Sequence, residues 1–109
     1  MLKKRHRLTK NAFDRYFKTG QRVHTPLVQL IYTPDEVFHG AVVVGKKVSR
    51  QAVRRNQLRR RVYSQVYRWW QDTNQTGVYI VVLKPDANTA SKTELHEAVI
   101  SVLNKSQAA

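Results

Sequence analysis

The sequence predicts an α/β sandwich in which helices cover a small sheet. Three observations predict it. Short β-rich runs, LVQLIY from Leu27, VFHGAVVV from Val37 and VYIVVL from Val78, are bounded by turn residues. A long stretch with helical spacing of its apolar residues separates the second run from the third, and another closes the chain. The 109 residues suffice for one core and not two. Helix, strands, long helix, strand and helix, in that order, pack as two layers of one domain over residues 1–109.

Residues 1–10 form a basic arm carrying Lys3, Lys4, Arg5 and Arg7. A short helix comes next, with Asn11 as N-cap, Phe13, Tyr16 and Phe17 on one face, and Gly20 just past its end. A short strand near Val23 precedes the strand Leu27–Tyr32. The turn signal Thr33-Pro34-Asp35-Glu36 leads to the strand Val37–Val44. The central helix runs from about Ser49 to Gln71 and ends at a polar loop reaching Gly77. Val78–Leu83 is continuously apolar, as a central strand covered on both faces must be. Pro85–Thr89 is a loop. Ser91 and Glu94 are spaced as a capping box for a last helix, with Leu95, Ala98, Val99, Val102 and Leu103 on one face. Residues 106–109 are expected to fray.

Charge is the outlier of the composition. A formal +13 draws in polyanions and repels itself in the isolated fold, so nucleic acid is the first partner to consider. The absence of cysteine excludes disulfides and thiolate metal sites and fits a reducing cytoplasm. No stretch approaches the roughly 18 apolar residues of a membrane span, and the basic N-terminus lacks the apolar run of a signal peptide.

The central helix carries the strongest signal. Arg50, Arg54, Gln57, Arg61, Ser64 and Arg68 form a regular polar stripe, opposite Val48, Ala52, Leu58, Val62, Val66 and Trp69. Arg55 and Arg59 break the pattern by projecting within the apolar stripe, and Asn56 sits on its flank. Burying unpaired guanidinium groups is costly, and the segment contains no acid to pair them. The economical solution packs only Leu58–Trp70 on the sheet. The first half then overhangs and presents arginine to a polyanion. Lys46 and Lys47, at the strand-to-helix junction, aim ammonium groups at phosphate beside the helix N-terminus.

Catalytic constellations are missing. His6, His24, His39 and His96 lack metal-ligand spacing, no phosphate-binding glycine loop is present, and Asp35-Glu36 reads as turn chemistry. Phe13 and Phe17, at i and i+4, suit either the core or a base-stacking surface beside the sheet. Taken alone, the chain is a binder with no catalytic or metal-ligating residues of its own.

The stretch AVVVGKKVSRQAVRRNQLRRRVY resembles the signature of the bacterial ribonuclease P protein component. In that family an apolar strand runs into Ser-Lys-Lys. A helix comes after it, bearing Arg-Asn-Arg, an aliphatic residue and two basic ones. Lys46 and Lys47 match the lysine pair, and Arg55 and Asn56 the first two helix positions. Leu58 matches the aliphatic residue, and Arg59 and Arg60 the two basic ones. Phe13, Phe17 and Gly20 match the family's F-x-x-x-F helix. Gln57 replaces the second motif arginine, Gly45 stands where Ser is usual, and Tyr63 where a basic residue is common.

The resemblance implies an α-β-β-β-α-β-α sandwich with a four-stranded sheet and a left-handed strand–helix–strand crossover, a type shared with a ribosomal-protein domain. It implies a subunit of a tRNA 5′-processing endoribonuclease. The catalytic RNA would be bound through Lys46, Lys47, Arg50, Arg54, Arg55, Asn56, Gln57, Arg59 and Arg60. The 5′ leader of precursor tRNA would lie in a cleft with Phe13 and Phe17. Hydrolysis would reside in the RNA with Mg²⁺, and neither membrane nor DNA is an expected partner. The rival reading is a non-enzymatic structural RNA binder, which explains the charge but has no use for a leader cleft.

Overall fold

The computed structural model describes residues 6–107, so Lys3, Lys4 and Arg5 of the expected arm lie outside the described residues. The elements are α1 (Lys10–Thr19), β1 (Gln21–His24), β2 (Val28–Thr33), β3 (Phe38–Val43), α2 (Ala52–Thr73), β4 (Gly77–Leu83), a 3-10 turn (Pro85–Asn88) and α3 (Lys92–Ser106). The order α-β-β-β-α-β-α and the four-stranded sheet are as expected.

The strands lie in the order β1-β2-β4-β3. β1 and β2 are antiparallel, β2 and β4 antiparallel, and β3 and β4 parallel, with α2 as the crossover between the last two. β4 is therefore central, and Val78, Tyr79, Ile80 and Val81 are each buried to within 1% of full burial. That is why its sequence is apolar without alternation.

One sheet face carries Val28, Leu30, Phe38, Val42, Tyr79, Val81 and Leu83 and packs on Leu58, Val62, Val66 and Trp69 of α2 and Leu95, Val99, Val102 and Leu103 of α3. Tyr32 and Tyr79, adjacent across the β2–β4 pairing, lie on this side with ring centres 5.0 Å apart and planes tilted by 33°. The opposite face is only half covered. Ile31, Val78 and Ile80 are buried there beneath Phe13, Tyr16 and Phe17 of α1, which itself has no fully buried residue.

Several boundaries differ from expectation for local reasons. The N-cap of α1 is Thr9, not Asn11: its Oγ1 accepts from the Ala12 amide at 3.3 Å. Both residues are good caps, and packing selects between them. With Thr9 as cap, Leu8 and Phe13 occupy the two positions of a hydrophobic staple and join the same cluster. The start of α2 falls at Ala52, not Ser49; Val48 is buried ahead of the helix in a turn closed by Val48 N–H to Gly45 O at 3.1 Å. Ala52, expected in the apolar stripe, is exposed. The capping box of α3 forms as its sequence predicts, with Ser91 and Glu94 bonding each other's amides at 3.0 and 3.1 Å.

Ser106 and Gln107 are more ordered than expected, and residues 108–109 of the expected frayed tail lie outside the described residues. Helix α3 includes Ser106, and Gln107 Nε2 donates to the Tyr79 hydroxyl at 2.9 Å. The arm is likewise anchored from His6 onward. That imidazole is buried at 4.7 Å from the Trp70 ring and 5.8 Å from Phe38, and Arg7 bridges to Gly40.

Candidate nucleic-acid interface

The overhang of α2 is a consequence of lengths. Its 22 residues span about 33 Å, while the seven residues of β4 reach about 23 Å, so the sheet cannot cover the whole helix. The uncovered end is the N-terminal one. Ala52, Val53, Asn56 and Gln57 are exposed, and Leu58 is the first buried residue of the helix. Its N-cap, Gln51, makes no side-chain cap bond, and the first turn contains no acid. The helix therefore leaves amide donors and the positive end of its dipole unneutralised. Lys46, Lys47, Ser49 and Arg50 line a shallow depression at this end, closed on the far side by Pro85 and Asn88.

The structure separates the arginines into two kinds. Arg54 reaches sideways to Asn88, and Arg55 folds back, its Nη1 donating to the Ser49 carbonyl at 3.0 Å and the Arg50 carbonyl at 2.9 Å. Both are half-buried. Their charge is solvated by amide oxygens rather than by carboxylates, so they brace the junction while keeping net positive charge. Arg59 Nη1 donates to Asn56 Oδ1 at 2.5 Å, and Arg60 makes only a long 3.4 Å bond to the Asn56 carbonyl. Asn56 thus orients Arg59, and the Arg59 and Arg60 guanidinium groups retain unused donors for an outside anion. Lys46, Lys47, Arg50, Asn56, Gln57 and Arg60 are exposed around the same end. The nine residues expected to meet RNA are gathered there, with Arg54 and Arg55 serving the fold as well.

The departures from the family pattern also have positions. A Cβ at Gly45 would meet nothing within 4 Å. Gln57 Oε1 accepts weakly from Arg54 Nη1 at 3.5 Å. Tyr63 is half-buried and packs against the main core, where a basic residue would have to run its stem over the same apolar edge.

The half-open sheet face forms a second region. Register places three rows across it: Thr33–Val78–His39, then Arg22–Ile31–Ile80–Ala41, then His24–Gln29–Val82–Val43. Helix α1 covers the buried members of the first two. Gln29, Val82 and Val43 of the third are only half-buried. A cleft results between α1 and this last row. Phe13 and Phe17 form its helical wall, rings 5.6 Å apart and half-buried. Arg22 closes one end, its guanidinium 5.2 Å from the Phe17 ring centre and bonded to the Phe17 carbonyl at 2.7 Å. At the lower rim Lys84 Nζ lies 3.5 Å from His24 Nδ1. Beyond Val43 the chain runs directly into Gly45, Lys46 and Lys47, so cleft and overhang meet at one edge.

The family resemblance assigned Phe13 and Phe17 to a cleft, while no reading of the sequence named Arg22, His24, Gln29, Val43, Val82 or Lys84 beside them. These residues share a face only through strand register, and β1 is four residues long, too short for its own periodicity to be read. The turn before β3 behaves as its sequence suggests. Asp35 Oδ1 accepts from the Glu36 and Val37 amides, which hold its carboxyl below the usual carboxylate range. The Tyr16 hydroxyl donates to Asp35 Oδ2 at 3.3 Å, tying α1 to that turn. Among the described residues no three His, Asp or Glu side chains come together as a metal site. No helix there is long and apolar enough to cross a membrane.

The chain is similar to known proteins along nearly its whole length. The family model for ribonuclease P matches residues 2–107. The ribonuclease P protein component of a Nitratiruptor species is 31% identical over 97 residues, covering 89% of this chain and 87% of that protein. That of Chromobacterium violaceum is 35% identical over 101 residues, covering 90% and 79%. Among solved structures, a mutant Staphylococcus aureus RNase P protein with defective mRNA degradation activity superposes with a TM-score of 0.80 at 22% identity, covering 95% of this chain and 90% of that one. The S. aureus RNase P protein solved at 2.0 Å gives 0.74 at 20% identity, covering 93% and 94%. At such identities the structural matches speak for the fold.

Proposed function

The chain belongs to the ribonuclease P protein family, and from that membership we propose that it binds the catalytic RNA of ribonuclease P and the 5′ leader of precursor tRNA, promoting removal of the leader. The observation that carries the reading is the meeting of two surfaces at one edge: the aromatic-walled cleft over the half-open sheet, and the basic, uncapped overhang of α2. A strand of RNA lying in the cleft has faces of Phe13 and Phe17 for base stacking and the Gln29 amide on the floor for its edges. Its phosphates then pass toward Lys84, Lys46 and Lys47. The overhang supplies Arg50, Asn56, Gln57, Arg59 and Arg60 to structured RNA.

In this reading the protein performs no bond-breaking step. Mg²⁺ is held mainly by the RNA and supplies the activated nucleophile there. The protein's own residues screen phosphate repulsion between catalytic RNA and substrate, and so lower the Mg²⁺ requirement. A role in tRNA maturation puts the protein in the cytoplasm. A purely structural RNA binder would share the overhang, but the cleft favours the processing subunit.

The test is cleavage of a precursor tRNA by a bacterial ribonuclease P RNA at low Mg²⁺, with and without this protein. Protein-dependent release of the leader, with none by the protein alone, is expected. Tight RNA binding without stimulation of several such RNAs would overturn the reading.

A further inference from the structure

We infer that the groove between α2 and α3 is a second RNA contact, one that grips the phosphate–ribose backbone of a segment other than the one met by the overhang. The inference rests on the RNA-binding reading above. Arg61, Ser64, Gln65 and Arg68 of α2 face His96 of α3 across this groove. It continues over Trp69 and Ile100, and its floor is fixed where Trp69 Nε1 donates to Asn104 Oδ1 at 3.1 Å.

Three features distinguish it from an ordinary solvated helix flank. Arg54 belongs to the same stripe and is bound to Asn88, yet Arg61 and Arg68 have no hydrogen-bond partner among the described residues. Gln65 Oε1, of a residue lining the same groove, is buried and accepts no hydrogen bond, an arrangement that native interiors seldom leave unfilled. The groove also lies further along α2 than the overhang. Arg61 and Arg68 come about one and three turns past Gln57 on the same stripe, and Arg59 points about 160° away from Arg61.

Two guanidinium groups share one groove with an unpaired amide oxygen, which a turn of the Gln65 side chain would bring to the groove. Together they suit a ligand that combines negative oxygens with a hydroxyl donor. Each nucleotide of RNA offers both, a phosphate and a 2′-hydroxyl, whereas DNA offers only the first. The groove's one carboxylate, Asp72, lies in its extension beyond Trp69, away from Arg61 and Ser64. A protein gripping RNA at two places along one 22-residue helix would fix the relative placement of two RNA segments.

The chain has no cysteine, so single-cysteine probes are unambiguous. Ser64→Cys places a photo-crosslinker at the groove, and Val53→Cys, at a 70% exposed residue, places one on the overhang. In the complex with a bacterial ribonuclease P RNA, both probes should crosslink, and to different nucleotides. Arg61→Gln with Arg68→Gln should abolish the Ser64 crosslink and leave that of Val53. The same pair should flatten the salt dependence of RNA affinity by about one to two in log–log slope. Arg68→Gln alone, at an exposed position, serves if the double variant is poorly folded. Crosslinking from Val53→Cys but not from Ser64→Cys, or from both to the same nucleotides, overturns the second contact while leaving the overhang intact. Crosslinking from neither overturns the RNA-binding reading along with it.

Discussion

Arg54 and Asn88 are joined twice. Arg54 Nε donates to the Asn88 side-chain oxygen and Nη2 to the Asn88 carbonyl, each at 2.9 Å. The pair links the first turn of α2 to the 3-10 turn after β4, two segments 34 positions apart. It fixes Asn88, which with Pro85 closes the depression whose front carries Lys46, Lys47 and Arg50. An arginine that sequence alone assigns to RNA therefore shapes the surface the others present. Arg54→Ala removes a charge-assisted pair and is expected to cost about 1.5–3 kcal/mol. Asn88→Ala, which keeps the backbone acceptor, should cost about half as much. Urea denaturation of the two variants checks the order, and equal RNA affinity losses at matched folding would show that Arg54 acts through shape.

Gly20 is needed for space, not for an unusual backbone. A Cβ there would come within 2.5 Å of Ile31 Cγ2, a packed side chain beneath α1. Gly20→Ala must push the C-terminal end of α1 off the sheet, at a cost of about 1–3 kcal/mol. The Phe17 wall and its contact with Arg22 would move with it. A lower denaturation midpoint together with weaker binding of leader RNA is expected; unchanged values of both would refute the close approach. Gly45→Ser, where the added atoms meet nothing, should leave stability unchanged.

Much of this architecture is legible in the sequence because the signals are local. VYIVVL announces its burial on both faces, and Ser91 with Glu94 announces the start of α3. The overhang is legible too, since Arg55 and Arg59 within the apolar stripe of α2 cannot both be buried without partners. What is hidden depends on distant segments. Nothing near Arg54 points to Asn88, 34 positions away. Even the local bonds of Arg55 to the Ser49 and Arg50 carbonyls form only because α2 starts at Ala52, later than its sequence suggests. The floor of the cleft is set by pairing between β1, β2, β4 and β3, so Gln29, Val82 and Val43 become neighbours only once the sheet is closed. Thr9 displaced Asn11 as cap because Leu8 and Phe13 both had to reach Ile31, Val78 and Ile80.

Tyr79 gives the fold a pH dependence. Burial, with the nearby Tyr32 adding to it, pushes its hydroxyl from the ordinary 10.0 up to about 12. The neutral hydroxyl donates to the Thr76 carbonyl at 2.7 Å and accepts from Gln107, and ionisation would forfeit the first bond. The folded state holds this proton more tightly than the unfolded chain. Its contribution is therefore intact below about pH 10 and disappears as pH rises through about 12. Tyr79→Phe should lower stability at neutral pH, and the gap from the parent protein should close over that window. A gap constant with pH would contradict the assignment.

Salt separates the roles of the arginines. Removing one phosphate-binding side chain should flatten the log–log dependence of RNA affinity on salt by roughly 0.7–0.9. Arg59→Ala and Arg60→Ala, with donors turned outward, should each do so and should weaken binding more than Lys105→Ala, at an exposed position of α3. Gln57→Arg should steepen the dependence by the same amount, since the Gln57 side chain is exposed at the same end. Titrations at several salt concentrations check both signs, and identical slopes for all variants would mean that the overhang is merely a solvated face.

The cleft makes the sharpest demand on substrate choice. Phe13 is half-buried, so it contributes to holding α1 and still offers ring surface beside Val43 and Val82. Loss of one base-stacking ring costs about 1–3 kcal/mol, a factor of roughly 5 to 150 in affinity. That loss should fall only on substrates with single-stranded RNA 5′ of the cleavage site. Phe13→Ala is therefore expected to weaken binding of precursor tRNA to the protein–RNA complex while leaving mature tRNA unchanged. Phe13→Leu, which keeps apolar contact with Ile31 and Ile80 but removes the ring, separates stacking from folding. If both tRNAs weakened equally with Phe13→Leu, the ring would be serving the core, and the leader would have to lie elsewhere on the molecule.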